Sequence, residues 1–557
     1  MSLKWKPRAL ARVGLHFLAL FVLGYAIFMF GNNVIPLTNP DEVFYAQTAK
    51  EMIRHKTWLL PYLFDHPQFE KPILTYWLLR LSFIFFGTTA FAARFFPALF
   101  AMSGTFAVYG LGLVAFGDQK KAFLSAWILM SSAFFIGMAR VLFTDMIFSV
   151  WILLALAVFW AGYVRRLPKG ASLVLFSVFS AAAVLTKGPL GLLIPLLTVF
   201  LFLAVQKDLR YLRDKGIVWA SLVFCAVALP WYVWIINKFG ADFTHEFFIN
   251  DHIRRVLEAE HPVSDNWYFY PVTMVAGMFP WSIFVLGAFL RLGRRLRERD
   301  PFVLFLACWI LSCLLIFQPA HSKLTSYILP LFPALSLLAA DFLFWLEKQA
   351  GGSFARWGIA NGLGLVAIPT ALIFALRKYP HYVSEPQFVY AYAIGFCVLI
   401  ALLVSGFLRF KKMTFVILSG FGIPVLLTLA ALMHRDIAPY VSSRQITHFL
   451  KDHDRSNTPV LASKMFVRGV RYYTDRPVAA LNLNGKDFFS PHPIAFINTD
   501  EKLRVFLGSR PVTYGIVRSK EVQRLRELSG EGFSIAALET AGDAALLKIQ
   551  RTDTNNG

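Results

Sequence analysis

Cysteine and charge are both scarce in this chain of 557 residues. Its 4 cysteines, Cys225, Cys308, Cys313 and Cys397, all stand inside apolar runs and lack the CxxC spacing of zinc or redox sites. This placement excludes a scaffold built on disulfides and is typical of small core residues. Charged residues make up 16% of the chain, too small a share for a soluble globular protein.

Long apolar runs occupy most of the remaining sequence. Hydrophobic residues make up 57% of the chain, and the mean hydropathy is +0.56. Because a membrane span needs about 20 apolar residues, we predict a polytopic α-helical membrane protein with about thirteen transmembrane helices. The predicted spans are 13–30, 90–116, 122–138, 146–163, 171–185, 189–205, 217–236, 267–290, 302–317, 324–346, 357–376, 389–407 and 413–433.

The net charge of +22 comes from short basic clusters between apolar segments, a pattern typical of cytoplasmic loops rather than of nucleic-acid binding. Lys and Arg are denser in the connections on the amino-terminal side, so we expect the amino terminus inside and the carboxyl terminus outside. The first apolar run begins as a signal peptide would. Residues 31–36 offer no A-x-A-like cleavage site, however, so we expect an uncleaved helix.

The composition changes at His434 to that of a soluble domain. We therefore predict two domains, a transmembrane domain over residues 1–433 and a small α/β domain over 434–557. Short apolar runs at 460–462, 493–497, 512–517 and 544–549 predict strands, and 519–528 predicts a helix. No GxGxxG or P-loop is present, so we expect no nucleotide site.

The loop over residues 31–89 carries polar sequence between the first two long spans. Residues 41–54 and 72–86 alternate polar and apolar positions at helical spacing, which predicts two interfacial helices. The length of the second helix is also compatible with a short membrane span. Asn39 is expected to cap the first of them. Its first turn contains Asp41 and Glu42, and since carboxylates are costly in hydrocarbon, this turn must lie at or beyond the membrane surface.

Polar residues from six separate stretches are predicted to meet on the outer face, which indicates a charged cavity. They are Asp41, Glu42, Glu70, Lys71, Arg140, Asp145, Lys187, Asp251, His252, Arg254, Arg255, His321 and Lys323. Each has a simpler explanation, such as a solvated first helical turn for the Asp41–Glu42 pair, an ion pair of Arg140 with Asp145, or a snorkelling Lys187.

The chemistry of this set suits an anionic lipid substrate. Lys71, Lys187, Arg255 and Lys323 offer cationic donors for phosphate, and Tyr45 and Tyr327 offer rings for a sugar or an isoprenoid. The carboxylates Asp41, Glu42 and Asp145 are the candidates for catalysis. Carboxylate oxygens with one imidazole also suit Mg, Mn or Zn.

Five motifs resemble those of the lipid A aminoarabinose transferases, within the superfamily of protein O-mannosyltransferases and other C-type polyprenyl-phosphate-dependent glycosyltransferases. The motifs are residues 39–45 (NPDEVFY), 69–72 (FEKP), 186–188 (TKG), 251–255 (DHIRR) and 322–327 (SKLTSY).

The resemblance implies a C-type fold with a periplasmic carboxy-terminal domain in the bacterial inner membrane. It implies inverting transfer of 4-amino-4-deoxy-L-arabinose from undecaprenyl phosphate to lipid A phosphate groups, a modification that gives resistance to polymyxin and other cationic antimicrobial peptides. Asp41 would be the main catalytic carboxylate, Lys71 and Arg255 would bind the donor phosphate, and Glu70 and His252 would lie near a divalent metal ion. A monomer is expected.

Two questions stay open at this point. Asp41 would act as a base toward a hydroxyl acceptor, but a phosphate acceptor is already ionised and would need only positioning.

A flippase for a lipid-linked sugar would also need a charged, aromatic cavity. The absence of an internal repeat and the location of the charges on one face favour the enzyme over the transporter. A relative with a protein or glycan acceptor is the remaining alternative.

Overall fold

A computed structural model describes residues 7–259, 262–349, 434–483, 492–527 and 532–552, together with 354, 356–358, 360, 361, 363, 364, 420 and 485. Its membrane part is a bundle of apolar helices around a core of Phe, Leu, Ile and Trp side chains. The helices are α1 (Pro7–Gly24, extended by a π-turn Tyr25–Met29), α2 (Asp41–Arg54), α3 (Leu74–Phe86), α4 (Ala90–Phe116), α5 (Gln119–Met130), α6 (Ala133–Ala139), α7 (Thr144–Tyr163), α8 (Lys169–Lys187), α9 (Leu190–Val205), α10 (Gly216–Thr244), α11 (Arg255–Leu257), α12 (Phe269–Gly277), α13 (Ser282–Arg297), α14 (Pro301–Phe317) and α15 (Phe332–Glu347).

Helices stand at ten of the thirteen predicted spans. Within the described residues, six helical segments are long and apolar enough to cross a membrane, or seven if α5 and α6, bent by 64°, count as one span. Two other predicted spans are interrupted, since 267–290 is divided into α12 and α13, and 324–346 begins as a 3₁₀-helix, Thr325–Leu331. The last three predicted spans lie almost wholly outside the described residues, so the number thirteen stays a prediction.

The loop over residues 31–89, named the outer loop after its predicted side, forms the two helices that its pattern predicted, α2 and α3. Between them lies a two-residue hairpin, β1 (Tyr62–Leu63) paired antiparallel with β2 (His66–Pro67). The prediction of an Asn39 cap was wrong: Pro40 occupies the cap position, and the Asn39 side chain donates instead to Ser443 at 2.6 Å. Asn39 therefore links the start of α2 to the carboxy-terminal domain.

The carboxy-terminal domain is an α/β unit with one six-stranded sheet in the order β5-β4-β3-β6-β8-β7. Strands β3 to β6 run parallel, while β8 pairs antiparallel with β6 and β7. The sequence pattern missed β4 and β7. The strands are β3 (Val460–Ser463), β4 (Val478–Leu481), β5 (Phe496–Ile497), β6 (Val512–Arg518), β7 (Phe533–Ala541) and β8 (Ala544–Arg551); the helices are α16 (His434–Val441), α17 (Arg444–His453), α18 (Val467–Thr474), α19 (Asp500–Gly508) and α20 (Ser519–Glu527).

This sheet is apolar on both faces, which explains why its central strands read as continuous apolar runs. Alternate residues of β3 point to opposite sides. Leu461 packs with α19 and α20, whereas Val460 and Ala462 belong to a core shared with Phe44 and Met52 of α2. The domain and the outer loop thus share one hydrophobic core. Residues 421–433 lie outside the described residues, so the domain boundary at 434 stays a prediction.

Ion pairs reinforce this contact. Arg471 of α18 lies 3.2 Å from a Glu51 carboxylate oxygen and also pairs with Asp65. Lys50 forms a further pair with Asp475 at 2.7 Å. Since Arg471 is only 5% exposed, these carboxylates compensate the cost of burying its charge.

Replacing Arg471 by Ala should therefore loosen the carboxy-terminal domain from α2. Loss of one partner of a buried ion pair typically costs about 3–5 kcal/mol, and we expect a cost at or below the lower end of this range, because Arg54 remains 3.6 Å from the buried Glu51 carboxylate. Thermal unfolding in detergent should shift downward, and proteolysis within 434–552 should accelerate. Arg524→Ala, which removes a solvent-exposed pair with Asp500, is the matched control and should change little. Equal behaviour of the two variants would contradict the anchoring role.

Candidate functional site

Glu42 and Arg94 form a buried ion pair between α2 and α4. The Arg94 Nε donates to Glu42 Oε1 at 2.7 Å, and Nη2 donates to Oε2 at 2.5 Å. Backbone N–H groups of Thr38 and Leu142 donate to the same carboxylate, as does the Thr38 hydroxyl. Burial by itself raises the pKa of Glu42, but Arg94 outweighs it and holds the pKa below its usual value. With both oxygens committed, Glu42 positions the start of α2 rather than contacting a substrate.

Asp41 lies beside Glu42 but is exposed, because the two side chains leave the first turn of α2 in different directions. Tyr45, one turn later, is buried. Burial, together with the charges of Asp145 and Asp41, raises the pKa of Tyr45 well above its usual value, so the phenol stays protonated. Asp41 is thus an accessible carboxylate presented by a rigid helix end.

A belt of alternating charges runs past this point. Asp145, in the first turn of α7, pairs with Lys187 at the end of α8. The Lys187 ammonium also lies 4.5 Å from the ring centre of Tyr327, whose hydroxyl accepts from Arg255 at 3.2 Å. We call the following six residues the charged belt, and they come from five separate parts of the chain: Lys71, Asp145, Lys187, Asp251, Arg255 and Tyr327.

Asp251 joins the remaining cations of the belt. Its Oδ2 accepts from Lys71 at 2.5 Å, and its Oδ1 lies 3.0 Å from Arg255 Nε. The belt therefore contains three cations against two carboxylates, an excess of positive charge that suits a bound anion. The acidic neighbours keep the cations in place before an anion arrives.

Two backbone features position the 251–255 segment. Gly240 at φ 48° breaks the helical conformation of α10, and the chain then continues as a wide π-helix, His245–Arg254. Such π-helical turns are frequent at functional sites. The His252 ring packs against Gly188, where a Cβ would stand 2.8 Å from Nε2, while Nδ1 donates to the Phe247 carbonyl at 2.7 Å.

Lys323 lies apart from the belt in a pair of its own. Its ammonium donates to Asp265 at 2.7 Å, and Asp265 also pairs with His321 at 2.7 Å. The backbone N–H of Ser322 donates to the Arg255 carbonyl, which joins this segment to the belt only through main chain. Lys323 is thus neutralised by Asp265, a partner that the sequence reasoning missed.

A cavity of about 510 Å³ opens next to the belt. It lies between the outer loop at 63–70, the segment after Gly240, and residues 492–493 of the carboxy-terminal domain. Glu70 lines this cavity while Lys71, its neighbour in sequence, turns to the belt. Burial raises the pKa of Glu70 against the opposing charges of Arg468 and Lys71.

Comparison with known proteins identifies the family. The sequence profile of the dolichyl-phosphate-mannose-protein mannosyltransferases matches residues 13–247. An undecaprenyl phosphate-alpha-4-amino-4-deoxy-L-arabinose arabinosyl transferase of Aeromonas salmonicida is 30% identical over 387 residues, which are 68% of this chain and 69% of that protein. The chain belongs to this arabinosyl transferase family. A relative of the same name from Pseudomonas fluorescens is 28% identical over 75% of the chain and 73% of its own length.

Alignments to several other arabinosyl transferases span between 58% and 65% of the relatives' own length. The fold, in contrast, matches over nearly the whole chain. The crystal structure of ArnT from Cupriavidus metallidurans bound to undecaprenyl phosphate superposes with a TM-score of 0.77 at 19% identity, covering 97% of this chain and 98% of that one. The C-type membrane glycosyltransferase fold expected from the motifs is thereby confirmed.

The geometry separates the residues predicted for the arabinosyl transferase site into groups. Lys71, Asp145, Lys187, Arg255 and Tyr327 meet in the belt, with Asp41 and Tyr45 at its edge. Two of the simpler explanations were wrong. Arg140 donates to the carbonyls of Ile27 and Phe30 and does not pair with Asp145, and Lys187 forms a largely buried pair with Asp145 and does not snorkel. Arg94 was not selected from the sequence, although a single arginine within the apolar run 90–116 indicates a residue with a polar partner.

Gly188→Ala tests whether the position of His252 matters. The substitution places a methyl group 2.8 Å from His252 Nε2 and 2.9 Å from Phe247, at a φ of +88° that alanine rarely adopts. We expect sugar transfer to fall by roughly 100-fold, the scale associated with a 1 Å misplacement. Gly110→Ala in α4, where no atom lies within 4 Å of the added Cβ, should leave transfer unchanged. Wild-type turnover in Gly188→Ala would show that the ring has no role in the site.

Proposed function

We propose that this protein transfers 4-amino-4-deoxy-L-arabinose from undecaprenyl phosphate to lipid A phosphate groups, with inversion at the anomeric carbon. The observation that carries the proposal is the charged belt. Its three cations are positioned by Asp145, Asp251 and Tyr327 beside the accessible carboxylate of Asp41, in a chain of the arabinosyl transferase family.

The belt supplies what cleavage of a glycosyl phosphate needs. The departing phosphate gains negative charge. Lys71 and Arg255 both pair with the Asp251 carboxylate, and from there they can stabilise that charge. Lys187 extends the same cationic surface toward Tyr327. Because these groups are held before the reaction, little reorganisation is required when the sugar–phosphate bond breaks.

Asp41 acts on the acceptor side. The acceptor phosphate is already ionised, so no strong base is required, and the carboxylate orients the attacking oxygen or stabilises the positive charge that develops on the sugar. Glu42 contributes through position, because its pair with Arg94 fixes the helix end that carries Asp41. Tyr45 stays protonated and can donate to a substrate oxygen.

A divalent ion on Glu70 and His252 is part of the proposal, with Zn, Mg or Mn as candidates. Glu70 makes no ion pair or hydrogen bond with the part of the chain that the structure describes. The His252 Nδ1 donates to the Phe247 carbonyl, the kind of contact that orients the ring of many metal-ligating histidines, and its Nε2 lies against Gly188. Such an ion would supply Lewis-acid stabilisation of the phosphate.

The ion would need ligands beyond these two residues. Among the described residues, the group of three acidic or histidine ligands within 4.8 Å of one another is Glu51, His55 and Asp65, at the contact with the carboxy-terminal domain. Arg471 and Arg54 already neutralise those carboxylates.

The proposed location is the bacterial inner membrane, with the site and the carboxy-terminal domain in the periplasm. The basic connections on the amino-terminal side support this orientation. The contacts of residues 492–493 with the cavity support a shared side for domain and site. We propose a monomer with lipid A, the undecaprenyl-linked donor and the bilayer as partners.

Asp41→Asn is the direct test of the catalytic assignment. We expect transfer to be abolished while expression and insertion stay normal, because the carboxylate is exposed and its amide isostere preserves the shape. The measurement is mass spectrometry of lipid A after incubation with purified donor, acceptor and enzyme. Asp118→Asn, at the exposed N-cap of α5, serves as the control and should retain transfer. Wild-type turnover in Asp41→Asn would remove Asp41 from the mechanism.

Elemental analysis tests the metal. After dialysis without chelator, we expect wild-type protein to retain a divalent ion and Glu70→Gln and His252→Ala each to retain less. Metal affinity should also fall as pH drops through the histidine pKa, since only neutral imidazole is a ligand. Wild-type protein that is metal-free, or fully active in chelator, would show that Glu70 and His252 have no metal role.

A further inference from the structure

The cavity beside the belt has acidic walls. Glu70, Asp242 and Glu246 line it, and no lysine or arginine is among its described lining residues. Its volume of about 510 Å³ falls within the range of small-molecule sites. His492 adds no positive charge at neutral pH, because burial and the nearby Arg468 lower the pKa of its imidazole to about 3. The cavity therefore has the opposite charge to the belt.

These carboxylates differ from those of the belt in their partners. The side chains of Glu70 and Asp242 form no ion pair or hydrogen bond with any residue over the described ranges, and Glu246 accepts one hydrogen bond, from Asn250 at 2.9 Å. Arg468 and Lys71 act on Glu70 by charge alone. In contrast, Asp145 and Asp251 each pair directly with a cation. The cavity thus retains negative charge for a ligand to neutralise.

Gln68 provides an independent sign of a polar ligand. It lines the same cavity and is only 6% exposed, yet its Nε2 has no hydrogen-bond partner in the described structure. Its Oε1 accepts weakly from Tyr76 at 3.4 Å. A buried amide donor without a partner costs about 1–3 kcal/mol, and a hydroxyl group placed in the cavity would satisfy it.

The two charged regions are adjacent. Lys71 contributes to the cationic belt and Glu70 to the acidic cavity, so one peptide bond joins an anion site to a cation site. The molecule that matches both has a phosphate at one end and a protonated amine a few ångströms away, with hydroxyl groups between them. A glycosyl phosphate with an amino group on its sugar has this distribution of charge.

We propose that the cavity is the specificity site for the amino group of the donor sugar. The carboxylates of Asp242 and Glu246 bind the ammonium, and Gln68 donates to a ring hydroxyl, while Glu70 stays with the proposed divalent ion. This inference rests on the proposed function and names what selects the sugar. A sugar whose amine is acylated would leave the carboxylates uncompensated, so the site rejects it.

Donor discrimination tests the inference. Purified enzyme is given undecaprenyl phosphate carrying either 4-amino-4-deoxy-L-arabinose or its N-acetylated form, and kcat/KM is measured for each. Wild-type enzyme should prefer the free amine. In Asp242→Asn/Glu246→Gln, kcat/KM for the free amine should fall by about 10- to 100-fold, the scale of one lost charged hydrogen bond, while that for the N-acetylated donor stays unchanged.

The controls separate the possible failures. Glu258→Gln removes an exposed carboxylate that pairs with Arg254 outside the cavity and should keep the wild-type preference. Thermal unfolding of each variant confirms that it is folded. An unchanged preference in the double variant, an equal fall with both donors, or equal use of both donors by wild-type enzyme would overturn the cavity assignment. Wild-type enzyme that transfers neither sugar would overturn the proposed function, and the inference with it.

Discussion

The buried ion pair of Glu42 with Arg94 is the constraint on which the site depends. Arg94 also donates to the carbonyls of Asn32, Ile35 and Pro36, so one guanidinium holds the loop that leads into α2. A charged pair in an apolar bundle is costly unless every hydrogen-bonding group is satisfied, and here both partners are saturated. The stability of the pair fixes α2 against α4, and this in turn fixes the direction in which Asp41 points.

Electrostatic arrangement then divides the surface around Asp41 into regions of opposite sign. The belt keeps its cations close to Asp145 and Asp251, so the positive charge is positioned without being cancelled. The neighbouring cavity keeps carboxylates without cationic partners among the described residues. The charged belt, with its excess of cations, lies next to the acidic cavity. A ligand that carries a negative and a positive charge would therefore be oriented by the electric field before it makes close contacts.

Sequence reasoning predicted the parts of the fold that local pattern decides. The helix at 41–54 was placed at its observed ends, because the apolar spacing that predicts it is local. Breaks within spans, as between α12 and α13, depend on packing and were not predicted. Five of the belt residues were found as charges in an apolar chain, but their pairing was not. The partner of Lys71 is 180 positions away, and only the tertiary fold brings Asp251 to it.

The shared core of α2 and the carboxy-terminal sheet has a consequence for biosynthesis. The outer-loop helices leave the ribosome several hundred residues before β3, so Phe44 and Met52 wait tens of seconds for their packing partners at ~5–20 residues per second. During that interval an apolar helix face next to the Asp41 carboxylate is uncovered at the membrane surface. The carboxy-terminal domain, which is synthesised last, therefore covers the apolar face of α2 in the outer loop. A chain that ends before residue 460 would be inserted in the bilayer without this packing.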